Sequence, residues 1–407
     1  MAEATTPHSP AGPDPSRSVL LSLPGAVEAT GFDGGVAAHY GGPIREQRSL
    51  VRAAGLVDRS NRGLVTVRGP DRLPWLHSML SQHVAGLAPG ESTEALLLDA
   101  QGHVEFHVGV FDDGTTTWLD TEPGSAAPLS AFLDRMRFLM RVEVVDVSEA
   151  WAQLVVAGPR SEQVLAEAGP DSGTASDADS GSAASSAPSE PPAEAGAAPQ
   201  RIVRRRRWPA NAFDVWVPRA DLEAQARVLV QAGAAPAGLE AWEALRVGAA
   251  EPRQGFETDD RSVPHELSWV ATAVHLDKGC YPGQETVARI HAMGRAPRRQ
   301  VLLHLDGTSE ELPAHGARVR WDKRPVGFVG TSARHHEQGS VCLAVVKRAV
   351  PGEASLVVEL PDGGTAVAAI DPDSELAPLA GAGAGRRAQQ GLRGTGHGTA
   401  AGSLPRS

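Results

Sequence analysis

Lys278-Gly279-Cys280-Tyr281-Pro282-Gly283-Gln284-Glu285, continuing as Thr286-Val287-Ala288-Arg289-Ile290, is the stretch from which the fold of this chain can be read. It holds one of two cysteines, set between small residues, with a lysine two positions ahead. Pro282 suits a first helical position, because its φ is already fixed and its missing N–H would be unpaired there. Gln284 then falls where its amide can reach back to the capping residue. Cys280 is thereby expected just outside a helix N-terminus, where the helix dipole favours negative charge. Lys278 adds a cation, and both effects lower a thiol pKa. Gly283, Val287, Ile290 and Gly294 fall on one helical face. Glu285 and Arg289 stand four apart in the order that favours an ion pair. The same pattern also suits a tightly packed structural cysteine and a solvated surface pair.

The rest of the chain bounds the reading. Its 407 residues predict two or three domains and a large core. A net charge of −11 argues against broad nucleic-acid binding, which needs clustered excess base. Two cysteines supply neither a disulfide framework nor a closed zinc or iron–sulfur ligand set, and they fit a reducing cytoplasm. No run of about 18 apolar residues predicts a membrane span, and the N-terminus reads as no signal peptide. The sequence therefore predicts a cytoplasmic protein with no metal, membrane or direct nucleic-acid partner.

In chain order, residues 1–17 read as disordered. Helices are predicted from Ile44, over Trp75–Leu80, at 126–140 and 160–168, and at 220–231 and 239–247. Strands are predicted at 64–68, 95–99, 103–111, 115–119, 142–147 and 152–157. Residues 171–200, all small, polar or acidic, read as a disordered insertion, since strand-like segments resume at 201–208 and 212–217. The run Arg204–Arg207 reads as a solvated edge or a counter-charge to the acidic insertion, and otherwise as a phosphate patch. From residue 300 to 372 five β segments with short polar turns suggest a small antiparallel barrel. The Gly/Ala/Arg-rich 373–407 tail is expected to be disordered. Asp112-Asp113 and Asp259-Asp260 fit turns better than metal binding. His335-His336 lacks a third ligand.

The 278–290 stretch closely resembles the signature of YgfZ-type folate-binding proteins. These act in iron–sulfur cluster assembly, are also described as tRNA-modifying, and are relatives of the glycine-cleavage T-protein, an aminomethyltransferase. Gly55–Ser60 with Val65–Asp71, Leu98–Val104, Leu245–Val247, Pro264–Glu266 and 316–348 extend the resemblance over about 36–170 and 200–360. It implies an α+β, aminomethyltransferase-like folate-binding core (18–299) of three subdomains in a ring, with a C-terminal antiparallel β-barrel. Tetrahydrofolate or a derivative is the implied cofactor. Its pterin would need an apolar platform, and its anionic tail a cation. Trp242 and Arg246, one helical turn apart, are the candidates, with Glu105 and Arg289 as further contacts.

Two departures mark this chain off from the transferases. Their paired aspartate after the strand turn is matched here by Glu105 and Phe106, and the Glu of their Leu-Arg-Leu-Glu segment by Gly248. Their counterpart of the signature also lacks Cys280. The resemblance thus implies a folate-binding accessory protein serving iron–sulfur client or assembly proteins. Its functional thiol would be Cys280 beside Lys278, framed by Gly279, Tyr281, Gly283, Gln284 and Glu285. The alternative is a tetrahydrofolate-dependent aminomethyl transferase using Glu105 as its acid.

Overall fold

The computed structural model describes residues 17–169 and 201–374. The segments expected to be disordered (1–17, 171–200 and 373–407) fall almost wholly outside them. The α+β class and the C-terminal barrel are present as expected.

Alternation builds the first sheet. Ser92–Leu98, Val104–Asp112 and Thr116–Thr121 form an antiparallel meander, continued by Gly63–Arg68 and Glu143–Asp146. On one face Val65, Leu97, Val108 and Leu119 are buried with Leu76 and Leu129, from the helices Arg72–Met79 and Ala126–Met136. The opposite face carries Glu94, His107, Gly109 and Asp120, which line a cavity.

The second sheet runs Ile202–Arg205, Ala212–Pro218, Trp151–Ala157, Gly55–Asp58 and Ala235–Ala237, with only the last pair parallel. Trp151–Ala157 and Ala212–Pro218 pair over their full lengths although the 171–200 insertion separates them in sequence. Leu222–Gln231 covers one face of this sheet, and Leu239–Gly248 the other. From Arg298 to Ile370 six strands close an antiparallel barrel.

Three local expectations are corrected. The helix expected over 126–140 stops at Met136, because Phe138 takes φ 45° and leaves Leu139 in solvent. Gly55 opens a strand instead of merely ending a helix; any side chain there would meet Leu50. The barrel's sixth strand, Thr365–Ile370, carries the small residues Thr365, Ala366, Ala368 and Ala369, too weak a pattern to read.

The connection between sheet and barrel holds His265, 4% exposed, with neither ring nitrogen hydrogen-bonded. Burial, helped by His291, holds its pKa down to about 4. The native ring is thus neutral where an unfolded one, titrating near 6.5, gains a proton. Stability contributed by this group is present above pH 6.5 and is lost as pH falls toward 4. Urea unfolding at pH 5.0 and 7.5 is expected to show a lower midpoint at pH 5.0. His265→Leu should reduce that gap, and an unchanged gap would exclude His265 as its source.

Candidate functional site

The signature stretch is a docked loop followed by a helix that starts later than its sequence suggests. The helix is Gln284–Met293, and Gly283 is its N-cap with φ 76°. Pro282 therefore precedes the helix, and Gln284 is its first residue. The Gln284 amide still reaches back, donating to the Lys278 carbonyl at 3.2 Å. Gly283 lies against the turn at Asp99–Gly102, where a Cβ would stand 2.7 Å from both the Asp99 carbonyl oxygen and the Gly102 Cα. Gly102 in turn faces Thr286. Two stretches nearly two hundred residues apart thus interlock through paired left-handed glycines. Tyr281 is buried with Leu98, Val104, Trp269 and Val287.

Lys278 spends its hydrogen bonds on backbone carbonyls. The residue is 7% exposed, and its ammonium donates to the carbonyls of His77, Leu80 (2.5 Å) and Gln82 (3.1 Å), the C-terminal end of the Arg72–Met79 helix and the turn after it. A cation there satisfies orphan carbonyls and complements the helix dipole. Burial lowers its pKa to about 8. Lys278→Met is expected to cost about 1–3 kcal/mol, because buried acceptors lose their donor; thermal unfolding checks this. Cys280 itself is exposed. Glu285 and Arg289 are exposed and form no ion pair among the described residues.

The expected folate contacts are placed differently from the sequence reading. Trp242, 2% exposed, packs in the core beneath the second sheet, edge-on to Trp208. Arg246, 4% exposed, is held by Glu243 (2.8 Å), Glu257 (3.0 Å) and Thr331 (2.6 Å). Helical spacing set the two on neighbouring positions, but packing closes that face to a ligand. Glu105 is exposed, and its carbonyl accepts from Gln254.

What the structure assembles instead is a cavity of about 340 Å³ between the two sheets. Arg62, Glu94, His107, Asp120 and Arg204–Arg207 line it. Arg204 is buried between Asp120 (2.7 Å) and Asp214 (Nε at 2.8 Å), and Arg206 joins Asp214 at 2.7 Å. Arg62 bridges Asp120 (2.9 Å) and Glu122 (2.7 Å). Arg207 reaches Glu94 (3.1 Å) and Glu251. The arginine run is therefore no solvated edge; only Arg205, paired with Glu162, stays largely in solvent. Gly109 makes room for the Arg204–Asp120 pair, since a Cβ would fall 1.9 Å from Asp120 Oδ1.

The electrostatics follow from burial against pairing. Burial would raise the carboxyls of Asp120 and Asp214, but Arg204 and its neighbouring guanidiniums hold both below the usual range. Glu94 is likewise carried down to about 2, against its burial, by His107 and Arg207. His107 Nε2 stands 3.6 Å from Glu94 and makes no hydrogen bond, while its ring stacks on Trp269 at 4.6 Å. The cavity thus offers an imidazole beside an ionised carboxylate, two buried acids and several guanidiniums. Sequence reading missed Glu94, His107, Asp120 and Asp214. Only Asp214 gave a local signal, as the lone charge in the apolar strand Ala212–Pro218.

Residues 36–278 match the model of the GCVT N-terminal domain family. The chain belongs to this family. The match takes in both sheets and every lining residue of the cavity. Similar proteins include the aminomethyltransferase of Rubrobacter xylanophilus, 30% identical over 300 residues (71% of this chain, 75% of that protein). That of Thermus thermophilus is 28% identical over 319 residues (77% and 85%). The crystal structure of glycine cleavage system aminomethyltransferase T from Bartonella henselae superposes with a TM-score of 0.71 at 19% identity. It covers 89% of this chain and 96% of that one, and so shares its fold. These relatives are named aminomethyltransferases, which favours the alternative drawn from the sequence over the iron–sulfur accessory reading. Among the described residues no helix is long and apolar enough to cross a membrane.

Proposed function

We propose that this chain is a tetrahydrofolate-dependent one-carbon transferase of the aminomethyltransferase type, with the folate held in the arginine-lined cavity. The observation that carries the reading is that cavity, built wholly from residues inside the family match. Its donor set fits the ligand. Arg205 and Arg207, the more exposed guanidiniums, would take the anionic glutamate tail. Asp120 and Glu94 would accept from the pterin edge. When bound, tetrahydrofolate supplies the nitrogen that accepts a one-carbon unit. The chain's part is to orient, to exclude water, and to hold a proton at His107 Nε2 with Glu94 as counter-charge.

The test is formation of methylene-tetrahydrofolate from an aminomethyl donor. Wild type is expected to turn over, and His107→Phe to lose about 10²-fold or more in kcat, within the range of acid–base contributions. No turnover with any aminomethyl donor would sink the reading.

A second reading keeps the folate cavity but makes the protein an accessory factor for iron–sulfur cluster proteins. Cys280 favours it: the thiol is exposed on the interlocked loop and does not line the cavity. The cavity chemistry of a transferase has no use for it there. If Cys280→Ala restored iron–sulfur enzyme activity in a deletion strain as fully as wild type, this second reading would lose its support.

A further inference from the structure

We infer that Glu251 is a specificity-determining residue of the arginine-lined cavity: its carboxylate holds the edge of Arg207 on which an anionic ligand tail would seat. The inference rests on the folate reading and adds to it a residue that does not itself line the cavity. A guanidinium offers a carboxylate two bidentate edges, Nε with one terminal nitrogen, or both terminal nitrogens together. On Arg207, Nε donates to Glu94 at 3.1 Å and Nη2 donates to Glu251. Only Nη1 is left without a partner among the described residues. A tail carboxylate can therefore make a single contact while Glu251 is in place. Release of Glu251 opens the Nη1–Nη2 edge for a paired one.

The backbone holds Glu251 at this post. Its N–H donates to the Arg246 carbonyl at 3.1 Å, and its own carbonyl accepts from Arg246 Nη1 at 2.6 Å. Ala250, just before it, takes φ 53°, a left-handed backbone that L side chains resist. Of the two acids on Arg207, Glu251 is the one able to leave. Glu94 also faces His107 Nε2 at 3.6 Å, and its pKa is carried down to about 2. Glu251 has Arg207 as its sole ion-pair partner among the described residues, and burial, with Glu94 nearby, raises its pKa. A neutral tail would exchange a charge-assisted contact for a weaker one and cannot displace it. A carboxylate can. Glu251 thus filters for anionic tails and holds down the affinity for those that pass.

Tetrahydrofolate is titrated at pH 7 into full-length wild type, Glu251→Ala and Glu251→Gln, followed by tryptophan fluorescence. Glu251→Ala is expected to bind about tenfold more tightly than wild type, and Glu251→Gln, which keeps the shape without the charge, to fall between them. In an Arg207→Ala background, Glu251→Ala should change the affinity by less than about twofold, because the guanidinium that couples the two is gone. Should Glu251→Ala fail to fold, as its melting curve would show, Glu251→Gln carries the comparison alone. Saturable binding by wild type with no gain in the variants would overturn the inference and leave the folate reading standing. A gain that persists without Arg207 would overturn it as well. No saturable binding by wild type would remove the folate reading and this inference together.

Discussion

Arg204→Met is expected to lower the free energy of unfolding by about 3–5 kcal/mol, the usual cost of removing one partner from a buried ionic set. Arg204 is the cation shared by Asp120 and Asp214, and all three side chains are withdrawn from water. Arg62 still reaches Asp120, and Arg206 still reaches Asp214. Neither stands between the two acids. Without Arg204 the carboxylates must repel across the gap or take up a proton. Urea unfolding measures the loss, and adding Asp214→Asn to Arg204→Met should recover part of it. A loss under about 1 kcal/mol would mean that water and the neighbouring arginines already screen the pair.

Gly283→Ala is expected to cost about 2–4 kcal/mol. One part is the left-handed backbone, which L side chains resist by about 1–2 kcal/mol. The other is contact: the new methyl would meet the Asp99 carbonyl and Gly102 Cα at 2.7 Å, and backbone cannot rotate aside. Gly279→Ala is the internal control, because open space surrounds its Cβ position. That change should stay within about 0.5 kcal/mol. Denaturant midpoints of the two variants side by side read the difference. Equal midpoints would show that the interlock with the 99–102 turn adds no stability.

The contrast between Gly283 and Lys278 marks how far the sequence could be read. The strand-like runs and the turn at Gln101-Gly102 are local, so the three strands of the meander were legible, though the first begins at Ser92 and not at Ala95. The helix after the signature was legible too, but its start was not. The φ of Gly283 is set by a tertiary contact with Gly102, and no helix-start rule carries that information. Lys278 looked like a partner for Cys280 because only Gly279 separates the two in sequence. Its real acceptors lie near residue 80, brought close only by the fold.

Trp242 and Arg246 show the same limit from the other side. Helical spacing gave their shared face correctly but could not say what packs against it. The cavity was the least legible feature, because its acids come from separate strands in two sheets. Asp214 interrupts an apolar strand and Asp120 sits in a threonine-rich one, and only the Arg204–Arg207 run hinted that charge was being gathered. The family resemblance foresaw the overall fold and the barrel. It could not foresee that Arg204 and Arg206 would turn inward to meet those acids.

Titration of the purified protein with tetrahydrofolate, followed by tryptophan fluorescence, tests the central claim most directly. Trp269 is the reporter, since it stacks on His107 in the cavity wall. A saturable change is expected, weakened about tenfold or more by Arg207→Ala through loss of a charge-assisted contact. Cys280→Ala should leave it unaltered. No saturable change, or one that Arg207→Ala leaves untouched, would contradict the assignment of this cavity to folate.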